Sequence, residues 1–552
     1  MRNQKTDVII IGGGLAGLVA AHELIIQGKK VIIVDQEPAQ GLGGQAFWSF
    51  GGLFLVNSPL QRKLGIKDSY ELALSDWMGT AGFDRAEDYW PRKWAEAYVS
   101  FAAGEKYSWL RQMNLKFFPI VGWAERGGYG AIGHGNSVPR FHITWGTGPG
   151  IIAPFVNSVL GAEKIGLLEC KYRHRVDNLI LTGGKVTGIS GSVLEASSNE
   201  RGIKNSDKVI NDFTLRADAV IIASGGIGAN HELVRKNWPE ALGKAPNTML
   251  SGVPEYVDGR MLEIAHKIGG NIINPDRMWH YTEGIKNWNP IWKDHGIRIL
   301  PGPSSMWFDA VGNRLPVPLF PGFDTLGTLK HIMHTGYDYS WLILNQKIIK
   351  KEFALSGSEQ NPDLTNREYY KVLGRAFGKK APAPVEAFKE HGEDFLVKNN
   401  LEDLVIGMNK ISGGPSISIE KIRNEITARD NQLHNNFCKD MQIMAIRGAR
   451  RYIGDKLIRT APLHRILDPA AWPLIAVKLH ILTRKTLGGL ETNLDGQVMD
   501  VNGDTIPGLF AAGEVCGFGG GGMHGYRALE GSFLGGCIFS GRVAGRAAGK
   551  NI

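Results

Sequence analysis

Cysteine is scarce in this sequence, and the few cysteines lie far apart. Only four of the 552 residues are cysteine, Cys170, Cys438, Cys516 and Cys537, and no two of them form a C-x-x-C pair. Such spacing disfavours a zinc site, c-type haem attachment and a dithiol redox centre. We therefore expect no bound metal, and the scarcity of cysteine fits a reducing, cytoplasmic location.

Long hydrophobic runs are also missing. No apolar run reaches the roughly 18 residues that a membrane-spanning helix needs. The N-terminal run "DVIIIGGGLAGLVAAHELII" is interrupted by glycines and has no small-residue cleavage site, so it lacks the features of a signal peptide. The sequence therefore predicts a protein without a membrane span.

The sequence has no excess of acidic residues. Its 63 Lys and Arg outnumber its 54 Asp and Glu, which gives a net charge of +9. The basic residues are dispersed, are densest in "RGARRYIGDKLIRTAPLHRI" (447–466), and lack the aromatic interleaving of nucleic-acid-binding motifs. We interpret this segment as a solvated basic face, with a contact for an acidic substrate or electron carrier as the alternative. We expect no nucleic-acid partner.

What the sequence does contain is a complete βαβ fingerprint near its N terminus. An apolar, β-branched strand at 7–12 leads into a glycine-rich turn, a helical pattern "LVAAHELIIQG" and a second strand "KVIIVD" that ends at Asp35. Gly12 permits the tight turn, Gly14 lets a pyrophosphate approach the backbone, and Gly17 permits close helix packing. Asp35 is placed to bind adenosine ribose hydroxyls, and the helix N terminus favours phosphate. This pattern predicts dinucleotide binding.

Further glycine-rich segments follow in a characteristic order. They are "GLGGQAFWSFGGL" (41–53), "IIASGGIGAN" (221–230), "VDGRMLEIAHKIGG" (257–270), "MWHYTEG" (278–284) and "DTIPGLFAAGEV" (504–515). In order and spacing, nearly end to end, the chain resembles the flavoprotein family of fumarate reductases, succinate dehydrogenases and 3-ketosteroid dehydrogenases. The segment "PLIAVKLHILTRKTLGGLETNLDGQV" is closest to the ketosteroid dehydrogenase branch.

The resemblance implies FAD as the cofactor. Covalent members of the family carry a histidine six residues before paired glycines, here Gly51-Gly52, and this chain has Gln45 at that position. An amide side chain cannot form that bond, so we expect FAD to be bound noncovalently. The expected FAD contacts are Gly12, Gly14, Leu15, Ala16, Gly17, Asp35, Gln36, Gly43, Gly44, Gln45, Ser49, Gly51, Gly52, Val176, Ala223, Ser224, Gly225, Gly513, Glu514, Ser532, Phe533 and Leu534.

The order of these segments also implies the architecture. At 552 residues, the chain is too long for one ordinary core. We expect an α/β protein with a discontinuous, Rossmann-like FAD-binding domain, residues 1–275 and 470–552, and an inserted α+β capping domain, residues 276–469. A cleft between two such domains is a usual position for a buried substrate.

A second glycine pattern, GxGxxG at 517–522, lies in "GFGGGGMHGYRALEGSFLGG". A second dinucleotide unit would need a further strand and an acidic residue about twenty residues later, and the remaining sequence has a turn and one helix only. We therefore expect no NAD site there. The electron partner is expected to be a quinone or a carrier rather than NAD(P)H.

The same stretch carries the expected substrate contacts. Fumarate reductases have H-G-x-N-R-x-G-G, whose Arg clamps a carboxylate, whereas this chain has Ala528 at the clamp position and Lys485 where those enzymes have His. Both differences count against succinate or fumarate. In ketosteroid dehydrogenases, the position of Arg527 is a Tyr that holds a ketone oxygen together with the N–H matched by Gly531. An Arg there could donate to a carbonyl or a carboxylate; the alternative is an (i, i+3) pair with Glu530.

These positions predict an FAD-dependent dehydrogenase or reductase that transfers hydride between flavin and a C–C bond adjacent to a carbonyl. The small-molecule substrate is expected to be a ketosteroid-like or other apolar ketone. A donor near Arg527 and Gly531 would polarise the carbonyl, and a base would take the acidified proton. The acid or base candidates are His280, Tyr281, Tyr526 and Lys485. The alternatives are a fumarate-reductase-like enoate or dicarboxylate reductase and a noncatalytic, FAD-stabilised scaffold or electron-transfer protein.

Overall fold

The first sheet carries the predicted βαβ fingerprint. The structure is a computed structural model that describes residues 4–123, 125, 135–378 and 380–552. Six strands of this eight-stranded sheet lie in the spatial order Gln497–Met499, Thr505–Ala511, Val209–Ile222, Gln4–Ile11, Val31–Asp35 and Leu168–Tyr172. The strands His174–Thr182 and Lys185–Leu194 extend the sheet from Val209–Ile222. The strand Gln4–Ile11 pairs in parallel with both of its neighbours: Val8 lies opposite Val31, and Ile9 lies opposite Val220. Parallel central strands are what a Rossmann-like unit requires.

Glycines allow two helices to pack closely against each other beside this sheet. The first helix, Leu15–Ile26, contacts the C-terminal helix, Ser532–Lys550. A Cβ on Gly541 would lie 2.4 Å from the carbonyl oxygen of Ala16, so this approach requires glycine. The contact brings the end of the chain beside the fingerprint at its start.

A second sheet forms the body of the expected cap. Its order is Met306–Asp309, Tyr339–Asn345, Leu474–Thr486, Met278–Lys286, Gly296–Leu300 and Ala354–Leu355, and both Leu250–Ser251 and Phe395–Lys398 pair with Leu474–Thr486. The long strand Leu474–Thr486 falls within the segment 470–552 that we assign to the FAD-binding domain, but its hydrogen bonds lie in this second sheet. The domain boundaries stay a prediction, and the pairing of this strand with Met278–Lys286 and Tyr339–Asn345 joins segments on both sides of the one at 469/470.

Two small sheets and the helices complete the fold. The small sheets contain Gly52–Phe54, Phe141–Thr144 and Phe117–Gly122, and Ile272–Ile273 with Gly489–Leu490. The α-helices are Leu15–Ile26, Pro59–Lys63, Tyr70–Ala81, Tyr89–Ala103, Lys106–Gln112, Thr147–Lys164, His231–Lys236, Arg260–Lys267, Thr325–His334, Gln346–Glu352, Pro362–Thr365, Tyr369–Phe377, Ala383–His391, Leu401–Ser412, Ile419–Asn431, Met441–Ala449, Ile453–Ile458 and Ser532–Lys550. Among the described residues, no helix combines the length and apolarity needed to cross a membrane.

Candidate active site

A single cleft runs along the carboxyl ends of the parallel strands of the first sheet and continues to the second sheet. It encloses about 1680 Å³, including the space at its open mouth. Ile11 and Asp35 line one end, and Tyr281 and Arg298 line the other. The carboxyl ends of parallel strands are the usual ligand position in such sheets.

The fingerprint glycines leave room for a pyrophosphate at the first end. Gly14 is the N-cap of the helix Leu15–Ile26, and no side chain caps that helix. A Cβ on Gly14 would come no closer than 4.0 Å to a neighbouring atom, the carbonyl oxygen of Ala223, so the space beside it is open. Uncapped N–H groups and the positive end of the helix dipole fit a phosphate group. These residues therefore fit the pyrophosphate of a dinucleotide.

Acidic side chains mark the end of the cleft beyond the glycines. The Asp35 carboxylate accepts the backbone N–H groups of Gly13 at 2.7 Å and Glu37 at 2.8 Å, and burial raises the pKa of Asp35. Burial and the neighbouring Asp35 raise the pKa of Glu37 to about 7. Two carboxyl groups suit the hydroxyls of a ribose and disfavour an additional phosphate there.

Three polar side chains meet in the middle of the cleft. The Lys485 ammonium donates to Gln45 Oε1 at 2.6 Å, and Gln45 Nε2 donates to Glu514 Oε2 at 3.0 Å. Glu514 Oε1 in turn accepts the N–H of Thr486 at 2.9 Å. Burial lowers the pKa of Lys485. These hydrogen bonds hold the Gln45 side-chain amide in one orientation in the lining of the cleft.

The other end of the cleft combines apolar side chains with one ion pair. Phe141 and Leu300 line it beside Tyr281, Arg298 and Glu530. Arg298 Nη1 donates to Glu530 Oε1 at 2.6 Å, and the Arg298 guanidinium lies 3.7 Å from the centre of the Tyr281 ring. Burial raises the pKa of the Tyr281 hydroxyl. This end therefore combines apolar side chains with an oriented ion pair, and Arg484 and Ser356 line the cleft close by.

Two more carboxyl groups lie near Arg298. Its guanidinium is 3.7 Å from Glu283 and 3.8 Å from Glu125, and burial raises the pKa of both carboxyls. Glu125 accepts the N–H and hydroxyl of Thr325 at 2.7 and 2.8 Å. Within the described ranges, Arg298 Nε and Glu283 Oε2 are buried without a hydrogen-bond partner. Three carboxyl groups thus share one guanidinium.

Nearly all of the expected FAD contacts line this cleft. The exceptions are Gly17, Gly43 and Ser532. A Cβ on Gly17 would lie 2.1 Å from the Gly12 carbonyl oxygen, so Gly17 serves the close packing of helix on strand. A Cβ on Gly43 would meet Ile152, and the Ser532 hydroxyl contacts His524 Nε2 at 2.9 Å. These three residues support the wall of the cleft from behind.

The six expected catalytic residues separate into two groups. Tyr281, Lys485 and Gly531 line the cleft, whereas His280, Tyr526 and Arg527 do not. His280 and Tyr281 are neighbours in a strand, and adjacent strand side chains point to opposite faces. His280 therefore packs behind the strand, with its ring 5.0 Å from that of Trp238. Burial lowers the pKa of His280 to about 3, so it stays neutral.

Tyr526 and Arg527 lie on another side of the C-terminal loop. The Tyr526 hydroxyl donates to Asp84 at 3.0 Å, and the Arg277 guanidinium lies 4.2 Å from the centre of its ring. Arg527 is half-buried and lies beside Gly82, because a Cβ added to Gly82 would be 3.6 Å from Arg527 Nη1. The alternative expectation for Arg527, a pair with Glu530, is also not found, because Glu530 binds Arg298.

The sequence reasoning missed Arg298 and Glu530 as site residues. The signal that could have indicated Arg298 is its position as the one charged residue in the apolar strand "GIRIL", Gly296–Leu300, because a buried charge requires a partner. Glu530 directly precedes Gly531 in the glycine-rich C-terminal stretch. The two signals were present, but they lie far apart in the sequence.

Comparison with known proteins identifies the family. A family model described as an FAD binding domain matches residues 7–534. The chain belongs to this FAD-binding family. It is an FAD-dependent oxidoreductase, which confirms the predicted cofactor, flavoprotein fold and enzyme class.

Close relatives of this FAD-binding oxidoreductase span almost its whole length. It is 62% identical over 546 residues to a KsdD-like steroid dehydrogenase of Mycobacterium tuberculosis, which covers 99% of this chain and 96% of the relative. It is 63% identical, with 99% of each chain covered, to a KsdD-like steroid dehydrogenase of Mycolicibacterium smegmatis.

Two solved structures share the fold of the FAD-binding oxidoreductase. The open conformation of a flavocytochrome c3 fumarate reductase has a TM-score of 0.65 at 21% identity, with 99% of this chain and 78% of that chain covered. A 3-ketosteroid delta1-dehydrogenase from Sterolibacterium denitrificans, in complex with 1,4-androstadiene-3,17-dione, has a TM-score of 0.65 at 15% identity, with 100% of both chains covered. These likenesses show the flavoprotein fold.

Acid precipitation is expected to release all of the FAD. The reason is Gln45, whose amide is held by Lys485 and Glu514 and forms no covalent bond to a flavin. Flavin absorbance of the supernatant and of the washed pellet measures the release. Flavin that stays in the pellet would contradict noncovalent binding.

Proposed function

We propose that this oxidoreductase dehydrogenates a C–C bond adjacent to the ketone of a steroid-type substrate. The observation that carries the proposal is the continuity of the cleft, which joins the dinucleotide fingerprint to an apolar end lined by Phe141 and Leu300. Flat, apolar ligands suit a cleft with few polar groups at defined positions. The names of the relatives that are 62% and 63% identical, KsdD-like steroid dehydrogenases, support this substrate class.

The chain's own residues supply the recognition of the ketone oxygen. Gly531 lines the cleft and is the N-cap of the helix Ser532–Lys550. Its φ is 85°, and a Cβ there would lie 2.7 Å from the Phe54 nitrogen, so the position requires glycine. We propose that the helix N terminus stabilises the negative charge that develops on the ketone oxygen. When bound, FAD supplies the hydride acceptor.

A dicarboxylate substrate fits this end of the cleft less well. Arg298 is already paired with Glu530, so a second carboxylate would meet a carboxylate there. A noncatalytic scaffold is also disfavoured, because the cleft is open and several polar groups converge in it.

For reoxidation of the reduced flavin we propose a quinone or a carrier protein as the electron acceptor. The second GxGxxG is followed by turns and the helix Ser532–Lys550, with no further strand in this described segment, so it does not form a second dinucleotide unit.

Anaerobic titration with 3-ketosteroids tests the proposal. Saturated and 4-ene 3-ketosteroids are each added to the holoenzyme, and at least one is expected to bleach the visible flavin absorbance stoichiometrically. NADPH is expected to bleach it poorly, and fumarate is expected to reoxidise the dithionite-reduced enzyme poorly. Product analysis by mass spectrometry should show the loss of two hydrogens from the steroid. No bleaching by any steroid ketone, with rapid reoxidation by fumarate, would contradict the proposal.

A further inference from the structure

A buried carboxylate lies immediately before the glycine that we assign to the ketone oxygen. Glu530 lines the cleft and is 7% exposed, and its Oε1 is 2.6 Å from Arg298 Nη1. Glu530 directly precedes Gly531 in the chain, and both residues line the cleft, so a ketone bound at the Gly531 N–H lies at the same end of the cleft as this carboxylate.

The surroundings of Arg298 single out Glu530 among three carboxyl groups. Glu125 and Glu283 do not line the cleft, and burial raises the pKa of both, which favours their neutral forms. Glu530 makes the shortest contact with the guanidinium. Of these three carboxyl groups, Glu530 is the one that lines the cleft, and the Arg298 guanidinium holds it in place.

Tyr281 is the other acid or base candidate at this end, and its surroundings favour the neutral phenol. Burial and the nearby Glu530 raise the pKa of its hydroxyl, and they outweigh the Arg298 guanidinium over the face of the ring, which acts in the opposite direction. A carboxylate is a competent base for a proton next to a steroid ketone, whereas a phenol needs a lowered pKa for that task.

We propose that Glu530 is the base that removes the proton from the carbon adjacent to the ketone, and that Arg298 is a positioning residue that orients Glu530. The assignment rests on the proposed function. In this step the C–H bond breaks, and the proton moves to a carboxylate oxygen of Glu530. The electron pair of the bond forms the enolate, whose negative oxygen is held at the Gly531 N–H. Return of the proton regenerates the ketone and the carboxylate, so the step by itself needs no oxidant.

Hydrogen exchange at that carbon tests the assignment without oxidation of the substrate. The holoenzyme is incubated anaerobically in D₂O with excess 4-androstene-3,17-dione and no electron acceptor, and deuterium uptake next to the ketone is followed by NMR. Glu530→Gln should slow the uptake by about a hundredfold or more, because a general base contributes at least that much. Glu530→Asp, which keeps the charge on a shorter side chain, should give an intermediate rate. Tyr281→Phe tests the rival base at the same end. The control is Glu263→Gln, which neutralises an exposed carboxyl group on the helix Arg260–Lys267 and should keep the wild-type exchange rate.

The outcomes are distinguishable. Exchange at the wild-type rate in Glu530→Gln overturns the assignment, as does loss of exchange in Tyr281→Phe alone, which would identify the phenol as the base. If Glu530→Gln loses FAD, Glu530→Asp decides: a wild-type rate in that variant contradicts the assignment, and a slowed rate with normal flavin content supports it. Wild-type protein that neither exchanges nor oxidises any steroid ketone overturns the proposed function, and the assignment with it.

Rescue by a conservative variant tests the positioning role of Arg298. Arg298 Nη1 donates to Glu530 Oε1 at 2.6 Å, so Arg298→Met removes the hydrogen bond that orients the carboxylate and should slow the deuterium uptake. Arg298→Lys, which keeps a charged donor, should restore part of the rate at the same flavin content. A wild-type exchange rate in Arg298→Met would contradict this role.

Discussion

Gly14→Val is expected to give a folded protein that holds almost no FAD. The backbone at Gly14 has φ −73° and ψ 178°, which any residue can adopt. Apart from the Ala223 carbonyl oxygen at 4.0 Å, a Cβ there meets open space, so the fold tolerates the side chain. The valine methyl groups would occupy the space beside the helix N terminus that the pyrophosphate needs. The ratio of flavin to protein absorbance after gel filtration measures the loss.

The matched control is Gly161→Val in the helix Thr147–Lys164. A Cβ on Gly161 meets nothing within 4 Å, so this position is as open as Gly14, but it lies outside the cleft. This variant should keep a full complement of FAD. Because bound FAD stabilises the folded state, thermal unfolding is compared between apoproteins. Gly14→Val with normal FAD content, or Gly14→Val that fails to fold as apoprotein, would contradict the prediction.

Arg140→Met is expected to destabilise the protein strongly. Arg140 is 1% exposed, its Nη2 is 2.8 Å from Asp68, and its Nη1 is 2.5 Å from Asp76. Removing the guanidinium leaves two buried carboxylates without their cation, which costs about 3–5 kcal/mol of the free energy of unfolding. Arg140 precedes the strand Phe141–Thr144, which pairs with Gly52–Phe54 beside the cleft. Urea denaturation of the apoprotein measures the cost.

The control for this prediction is an exposed ion pair. Lys267 and Glu263 are 2.8 Å apart on the surface of the helix Arg260–Lys267. Lys267→Met should change the free energy of unfolding by less than about 1 kcal/mol, because water already screens such pairs. Equal effects of Lys267→Met and Arg140→Met would show that burial does not determine the cost of losing these cations.

Much of the dinucleotide end of the site was predictable because its parts are neighbours in the sequence. The turn at Gly12, the helix N terminus at Gly14 and the acid at Asp35 follow one another within one βαβ unit, whose geometry is set by local backbone preferences. Gln45 likewise lies a fixed distance before Gly51-Gly52. This local pattern was therefore sufficient to predict dinucleotide binding, and the resemblance to the flavoprotein family implied FAD.

The division into domains was less predictable than the cofactor. The order of motifs placed the boundary near residue 470, but the strand Leu474–Thr486 hydrogen bonds within the second sheet and then reaches the cleft through Lys485. The pairing of strands that are distant in the sequence depends on how whole layers pack. The residues of one strand therefore do not predict which strands it pairs with.

The sequence by itself determined the βαβ unit, since that unit depends on contiguous residues, and the order of motifs along the chain implied FAD through the family resemblance. Only the tertiary structure decided which polar groups meet at the substrate end. Arg298 and Glu530 are 232 residues apart in the chain and form one ion pair. The alternation of side chains in a strand turns Tyr281 into the cleft and His280 away from it. Both outcomes follow from how the second sheet lies against the C-terminal loop, which no local pattern encodes.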